Sequence, residues 1–317
     1  MTPRLKTSLK ATLSAVWIRA RSAALWILTG IGTLWILFIT AALATPLPRG
    51  AATPPSLVLR YRDGEMAHVF LTSDDKWRLH VDLEKVDPAY IQALVALEDG
   101  RFHSHFGVDL LAGLRALKSN LSAGRVVSGA STLTMQVARL LERRPRTIWS
   151  KVVESFRAVQ LELHLSKKEI LERYLQRIPF GENLEGLESA CWAYFGHSAQ
   201  RLTADEIAVL LAVPQSPNRR YPHPKNSLRL TLARKRVART LAAKGALPLG
   251  HGESSRSPNE VLESFEHLRV PDRLRPFPRE AFHAAQWIRA QLARGDPKND
   301  PTAAKGVHGR PPSPIIE

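Results

Sequence analysis

The 317-residue chain has one cysteine, Cys191. A lone thiol excludes an intrachain disulfide framework and a multi-cysteine zinc site. Acidic residues are scarce beside basic ones, 29 against 45, so the chain carries +16 and suits an anionic partner. No internal repeat is present, and strand signals are sparse after residue 75. What is present is ordinary globular composition, 44% hydrophobic and 23% charged, which excludes wholesale disorder.

Charge is also missing locally. Residues 22–48 contain no charged side chain, and Ala23 to Leu43 reads AALWILTGIGTLWILFITAAL. An apolar helix of ~20 residues spans a bilayer core. Arg4, Lys6, Lys10, Arg19 and Arg21 precede it with no acidic residue among them. That asymmetry sets the N-terminus in the cytoplasm and the remainder outside. The competing reading is a cleaved signal peptide, which Ala42-Leu43-Ala44 would suit, but the run exceeds the ~7–15 residues of a secretory apolar region. The expected organisation is therefore a cytoplasmic basic segment (1–21), a single membrane-spanning anchor (22–44) and a linker with a small hairpin (45–75). The main domain follows (76–245), then a proline-rich, partly disordered tail (246–317). The tail is nearly neutral, ten basic residues against nine acidic, so the excess charge lies in the body and at the N-terminus. An extracytoplasmic body excludes nucleic acid as the anionic partner.

Asp63-Gly64 between two apolar runs predicts the hairpin. From Pro88 onward the pattern is helical. Ile91, Leu94, Val95 and Leu97 form an apolar face leading into Glu98-Asp99, and Ile148, Val152, Phe156, Val159 and Leu163 form another. Residues 167–176 and 204–213 read as two more helices, and one is expected at 280–292.

Four constellations bear on chemistry. Glu98-Asp99, followed by Phe102, His103, His105 and Gly107, places carboxylates at the end of an apolar helix, an arrangement suited to general acid/base work. The bland alternative is a polar helix end, and His103-x-His105 alone is too small a ligand set for a metal. Ser128 to Gln136 (SGASTLTMQ) either presents N–H groups and hydroxyls to a phosphate or caps the helix that follows. Lys151 and Glu154 share a helix face, and in isolation read as a solvated i, i+3 ion pair. The run 168–175 with Phe180-Gly181 and Ala193-Tyr194-Phe195-Gly196 reads as core packing and turns.

Taken in order, these motifs resemble the family 51 glycosyltransferases, the peptidoglycan polymerases that occur alone or as the N-terminal half of class A penicillin-binding proteins. Glu98-Asp99-x-x-Phe102-x-x-His105-x-Gly107 is similar to the first family motif. Gly129 to Gln136 is similar to GGSTxTQQ, Lys151-x-x-Glu154 to the end of RKxxE, residues 170–176 to ILExYLN, and residues 211–219 to the last motif. Met135 and Val213 are most like the 1C branch. Ser150 stands where the family has arginine, Ala130 where it has glycine, Gln176 where it has asparagine, and Arg139 where many members have lysine.

The resemblance implies a mainly α, lysozyme-like catalytic domain and an inverting transferase that polymerises lipid II with release of undecaprenyl pyrophosphate. It implies Glu98 as catalytic base and Glu154 as the second essential glutamate. Asp99, Phe102, His105, Gly107, Ser131, Thr132, Gln136, Arg139 and Lys151 are implied as substrate-binding. It leaves a place for a divalent cation, Mg or Mn, at the leaving group, and for no other cofactor. Implied partners are lipid II, undecaprenyl-pyrophosphate-linked glycan, the inner membrane and other wall-synthesis proteins. The implied location is the bacterial inner membrane, catalytic domain periplasmic. No Lys-Thr-Gly occurs, so a monofunctional polymerase or a shortened class A relative is expected. The alternatives are a non-catalytic anchored scaffold, which Ser150 favours, and a lysozyme-like glycan-cleaving enzyme, which has no evident use for the GASTLTMQ and KxxE pair.

Overall fold

The computed structural model describes residues 21, 25–26, 29–30, 32–34, 36–48, 53–124, 131–248, 257–267, 269–293 and 315–316. The chain divides into two units, 1–47 and 48–317. The first is helical in its described residues up to residue 44. Among the described residues no helix is long and apolar enough to cross a membrane. The expected anchor at 22–44 lies partly outside them, as do the basic segment 1–21, of which residue 21 alone is described, and much of the tail.

The second unit is mainly helical. A hairpin, β1 (Val58–Tyr61) and β2 (Met66–Val69), opens it; its antiparallel register shifts between Leu59 and Arg60. Gly64, at φ +94°, supplies the left-handed residue of the turn. β3 (Ile315–Ile316) pairs parallel with β1. The body is α1 (Pro88–Glu98), α2 (Leu110–Ala123), α3 (Leu133–Leu141), α4 (Ile148–His164), α5 (Lys167–Arg177), α6 (Leu187–Tyr194), α7 (Ala204–Ala212), a single turn α8 (Pro217–Arg220) and α9 (Ser227–Ala243). α10 (Pro258–His267) and α11 (Phe282–Ala293) follow, the latter covering most of the helix expected at 280–292.

Local chemistry sets most of these boundaries. Asp87 caps α1 ahead of Pro88, whose missing N–H would be orphaned there in any case. Thr132 caps α3 and Thr147 caps α4, each accepting from the backbone N–H three residues on. Ser166 with Glu169, and Thr203 with Glu206, close full capping boxes on α5 and α7. α3 packs on α4 and α5, and α7 on α9. α7 is buried along most of its length, including Ile207, Val209, Leu210 and Leu211. Cys191 is buried within α6, a small apolar side chain rather than an accessible nucleophile.

Ionic clips join distant segments. Arg78, fully buried, bonds Glu185 at 2.6 Å and Asp74 at 2.7 Å. Gln176 clamps the strand-like segment before α1, accepting from Val81 N–H at 2.8 Å and donating to Leu79 O at 2.5 Å.

Candidate active site

The site grows from the C-terminal end of α1. Glu98 is the last helical residue and Asp99 its C-cap, at φ −156° and ψ 71°, so the two adjacent carboxylates leave the helix in different directions. Asp99 turns inward and is buried. Its oxygens lie 3.0 Å from His105 Nε2, and Oδ2 accepts the Leu133 N–H at 2.9 Å. Asp99 therefore joins the end of α1 to the start of α3. Glu98, half-buried, accepts from Gln136 Nε2 at 3.1 Å through Oε2, and its other oxygen takes no hydrogen bond from the described residues.

Gly107 lies against α4 with φ +79°; a Cβ there would sit 2.8 Å from the Ala158 carbonyl. Its own carbonyl accepts from the Thr132 hydroxyl at 2.6 Å. Thr132 thus serves both as the cap of α3 and as a tie to the loop after α1. Phe102 is fully buried, with the Lys167 ammonium 4.6 Å above its ring. Lys167 also donates to His105 O and Glu162, each at 2.7 Å.

α3 carries Gln136 and Arg139 three residues apart, on one face. Gln136 holds Glu98. Arg139 grips Glu154 on α4 with two parallel bonds, 2.7 and 2.8 Å, the planar fork that lysine lacks. Hydrogen bonding to Glu154 and its charge raise the Arg139 pKa against the opposing effect of burial. Taken in isolation Lys151 and Glu154 read as an ion pair, and the fold gives each a different partner. Glu154 is 5% exposed and spends both oxygens on Arg139, while Lys151 donates to Ser131 Oγ at 2.8 Å. Ser150 is buried beside the α4 cap, its hydroxyl 2.9 Å from that of Thr147.

One short helix therefore organises the site. Glu98, Asp99, His105, Gly107, Thr132, Gln136, Arg139 and Glu154 join its network directly or through one neighbour, while Lys151 pairs with Ser131 beside its cap and Phe102 packs under Lys167. Gly129 and Ala130 lie outside the described residues. Among the described residues no group of three or more His, Cys, Asp or Glu side chains is placed to hold a metal. With Glu154 taken up by Arg139 and Asp99 by His105 and Leu133, these residues do not form a donor set for a divalent cation. Sequence reasoning did not name Lys167 or Tyr174 as site residues, although Tyr174 lies in the ILExYLN-like run. Tyr174 reads as core, and only its hydroxyl, aimed at Gln136, marks it as more.

The sequence has counterparts among known proteins. Penicillin-binding protein 1C of Escherichia coli (strain K12) is 44% identical over 200 residues, covering 63% of this chain and 26% of that protein. Penicillin-binding protein 1A of Aquifex aeolicus is 40% identical over 164 residues, covering 50% of this chain and 23% of that protein. A crystal structure of penicillin-binding protein 1A from Haemophilus influenzae aligns over 79% of this chain and 25% of its own at 18% identity, with a TM-score of 0.37. The chain thus spans about a quarter of the length of these relatives. The transglycosylase family model matches residues 63–242, which contain every residue of the site described above and more than half of the sequence. On that match, the chain belongs to the transglycosylase family.

Proposed function

We propose that this domain is a peptidoglycan glycosyltransferase, joining lipid II units into a β-1,4-linked glycan and releasing undecaprenyl pyrophosphate. The observation that carries the reading is the difference between the two glutamates. Glu98 keeps one carboxylate oxygen free of hydrogen bonds among the described residues and is held by a single neutral donor. Glu154 is neutralised by Arg139 at both oxygens. Glu98 is therefore the one equipped to accept a proton.

In this reading Glu98 takes the proton of the acceptor's 4-hydroxyl as that oxygen attacks C1 of the donor sugar. The bond from C1 to the pyrophosphate oxygen breaks on the opposite face, inverting the carbon, the geometry also used by inverting glycosidases. Lys151, exposed and donating to Ser131, is a cation able to turn toward the departing pyrophosphate. Arg139 shapes the site through Glu154.

The surface supports a substrate carried in a membrane. Leu110, Leu111, Leu114 and Leu121 of α2 are exposed, as are Ile148, Trp149 and Val152 in the first turns of α4. Arg115 and Lys118 on α2, and Arg143, Arg144 and Arg146 before α4, lie close to them in the chain. Apolar side chains flanked by cations suit the boundary between acyl chains and anionic headgroups. A membrane location and a single anchoring helix belong to this proposal as well.

The test is polymerisation of labelled lipid II in detergent by the full chain and its Glu98→Gln variant. General-base help contributes roughly 10²–10⁴ in rate, so the variant should lose at least about a hundredfold while keeping its thermal midpoint. Glycan from the variant at near wild-type rate would refute the assignment. Lipid II bound but never polymerised by wild type would favour a scaffold, and cleavage of preformed glycan a hydrolase.

A further inference from the structure

Behind Gln136 lies a hydroxyl that the site as described leaves unexplained. Tyr174, on α5, is buried and donates to Gln136 Oε1 at 3.4 Å. On the other side of the same amide, Gln136 Nε2 donates to Glu98 Oε2 at 3.1 Å. We propose that Tyr174 is a positioning residue, fixing the Gln136 amide so that its NH₂ group faces the catalytic carboxylate. The assignment rests on Glu98 acting as the base.

The argument is one of donors and acceptors. A glutamine amide presents an oxygen on one side and NH₂ on the other, and the two orientations are nearly isosteric. Turned over, Gln136 would aim its oxygen at the Glu98 carboxylate, acceptor against acceptor, which only a protonated Glu98 could tolerate. A protonated Glu98 is no base. The Tyr174 O–H selects the useful orientation because Gln136 Oε1 is the acceptor the described residues offer it. It remains a donor throughout the working pH range, since burial first, and then the charges of Glu98 and Tyr90, push its ionisation far above the ordinary tyrosine value.

A second tyrosine supplies the internal control. Tyr90, on α1, is also fully buried, and burial likewise raises its pKa. Its hydroxyl has no hydrogen-bond partner among the described residues. Loss of a buried tyrosine oxygen is thus common to both positions, and loss of an amide contact is peculiar to Tyr174.

The experiment is a double-mutant cycle on the full chain with lipid II, using Tyr174→Phe, Gln136→Ala, the double variant, and Tyr90→Phe. Partners that orient a metal ligand from the second shell matter by about tenfold or more, and a hydroxyl orienting a reacting carboxylate through one amide is expected to act on the same scale. Tyr174→Phe should therefore lower kcat by about tenfold with KM within about twofold, while Tyr90→Phe leaves kcat unchanged. In the Gln136→Ala background Tyr174→Phe should have no further effect, because its only route to Glu98 is gone. Equal losses in both backgrounds, or an unchanged kcat in the single variant, would overturn the proposal. The same cycle on the thermal midpoint does not need turnover: the two substitutions should be non-additive, and strict additivity would also overturn it. Non-additive midpoints in a wild type that makes no glycan would uphold the Tyr174–Gln136 contact and sink the polymerase reading instead.

Discussion

Arg139→Met isolates the ion pair at the centre of the site. Methionine retains the apolar stem and removes the guanidinium, leaving the Glu154 carboxylate, 6% exposed, without either of its two donors. Removing one partner from a fully buried pair costs ~3–5 kcal/mol, because a desolvated charge is left behind. The Arg139 side chain is 38% exposed, so solvent screens part of the interaction and about 2 kcal/mol is the better figure. In a domain of this size each kcal/mol moves the midpoint by ~2–4 °C. The variant should therefore melt about 4–8 °C below wild type at pH 7.5. Glu154→Gln in the same background removes the uncompensated charge and should recover most of the deficit. Scanning fluorimetry of wild type, single and double variants at pH 7.5 decides the matter. A deficit under about 0.5 kcal/mol, or one that the second substitution does not relieve, would refute the reasoning.

Two further expectations concern stability. Gly107→Ala combines a left-handed φ with a Cβ 2.8 Å from the Ala158 backbone, which cannot rotate away, and should cost at least about 3 kcal/mol; a variant melting within a degree or two of wild type would show that α4 does not approach so closely. Burial raises the pKa of Asp74, but hydrogen bonds from Arg78 and Thr72 and the charge of Arg78 outweigh it and hold the group at about 2. Because the folded value is the lower one, its stabilisation is present above the unfolded value of about 3.9 and is lost as pH falls from about 4 toward 2. With its side chain 44% exposed, the contribution is under about 1 kcal/mol. The midpoint difference between wild type and Asp74→Asn should narrow between pH 5 and pH 2.5, and a constant difference would contradict the assignment.

Ser150 shows how context revises a sequence comparison. Read along the chain, serine in place of arginine removes a charge from the site and leaves room for a scaffold. In the fold the residue is 5% exposed and shares the cap of α4 with Thr147. Its hydroxyl is engaged with that of Thr147 within the cap.

The sequence by itself determined what is decided within a few residues. The apolar period of 148–163, the Thr132 and Thr147 caps and the Asp63-Gly64 turn each involve neighbours at most four or five positions apart, so local patterns carry them. The motif order carried the family. Tertiary structure alone decided the partners. Glu154 chose Arg139, 15 residues away, over Lys151 on its own helix turn. Asp99 reached Leu133 across 34 residues, while Gln136 met both Glu98 and Tyr174 across 38. Such choices depend on how α1, α3, α4 and α5 cross, and a crossing is fixed by packing among side chains distant in sequence. The chemistry of two glutamates was therefore open until the fold gave one of them a guanidinium and left the other an oxygen free.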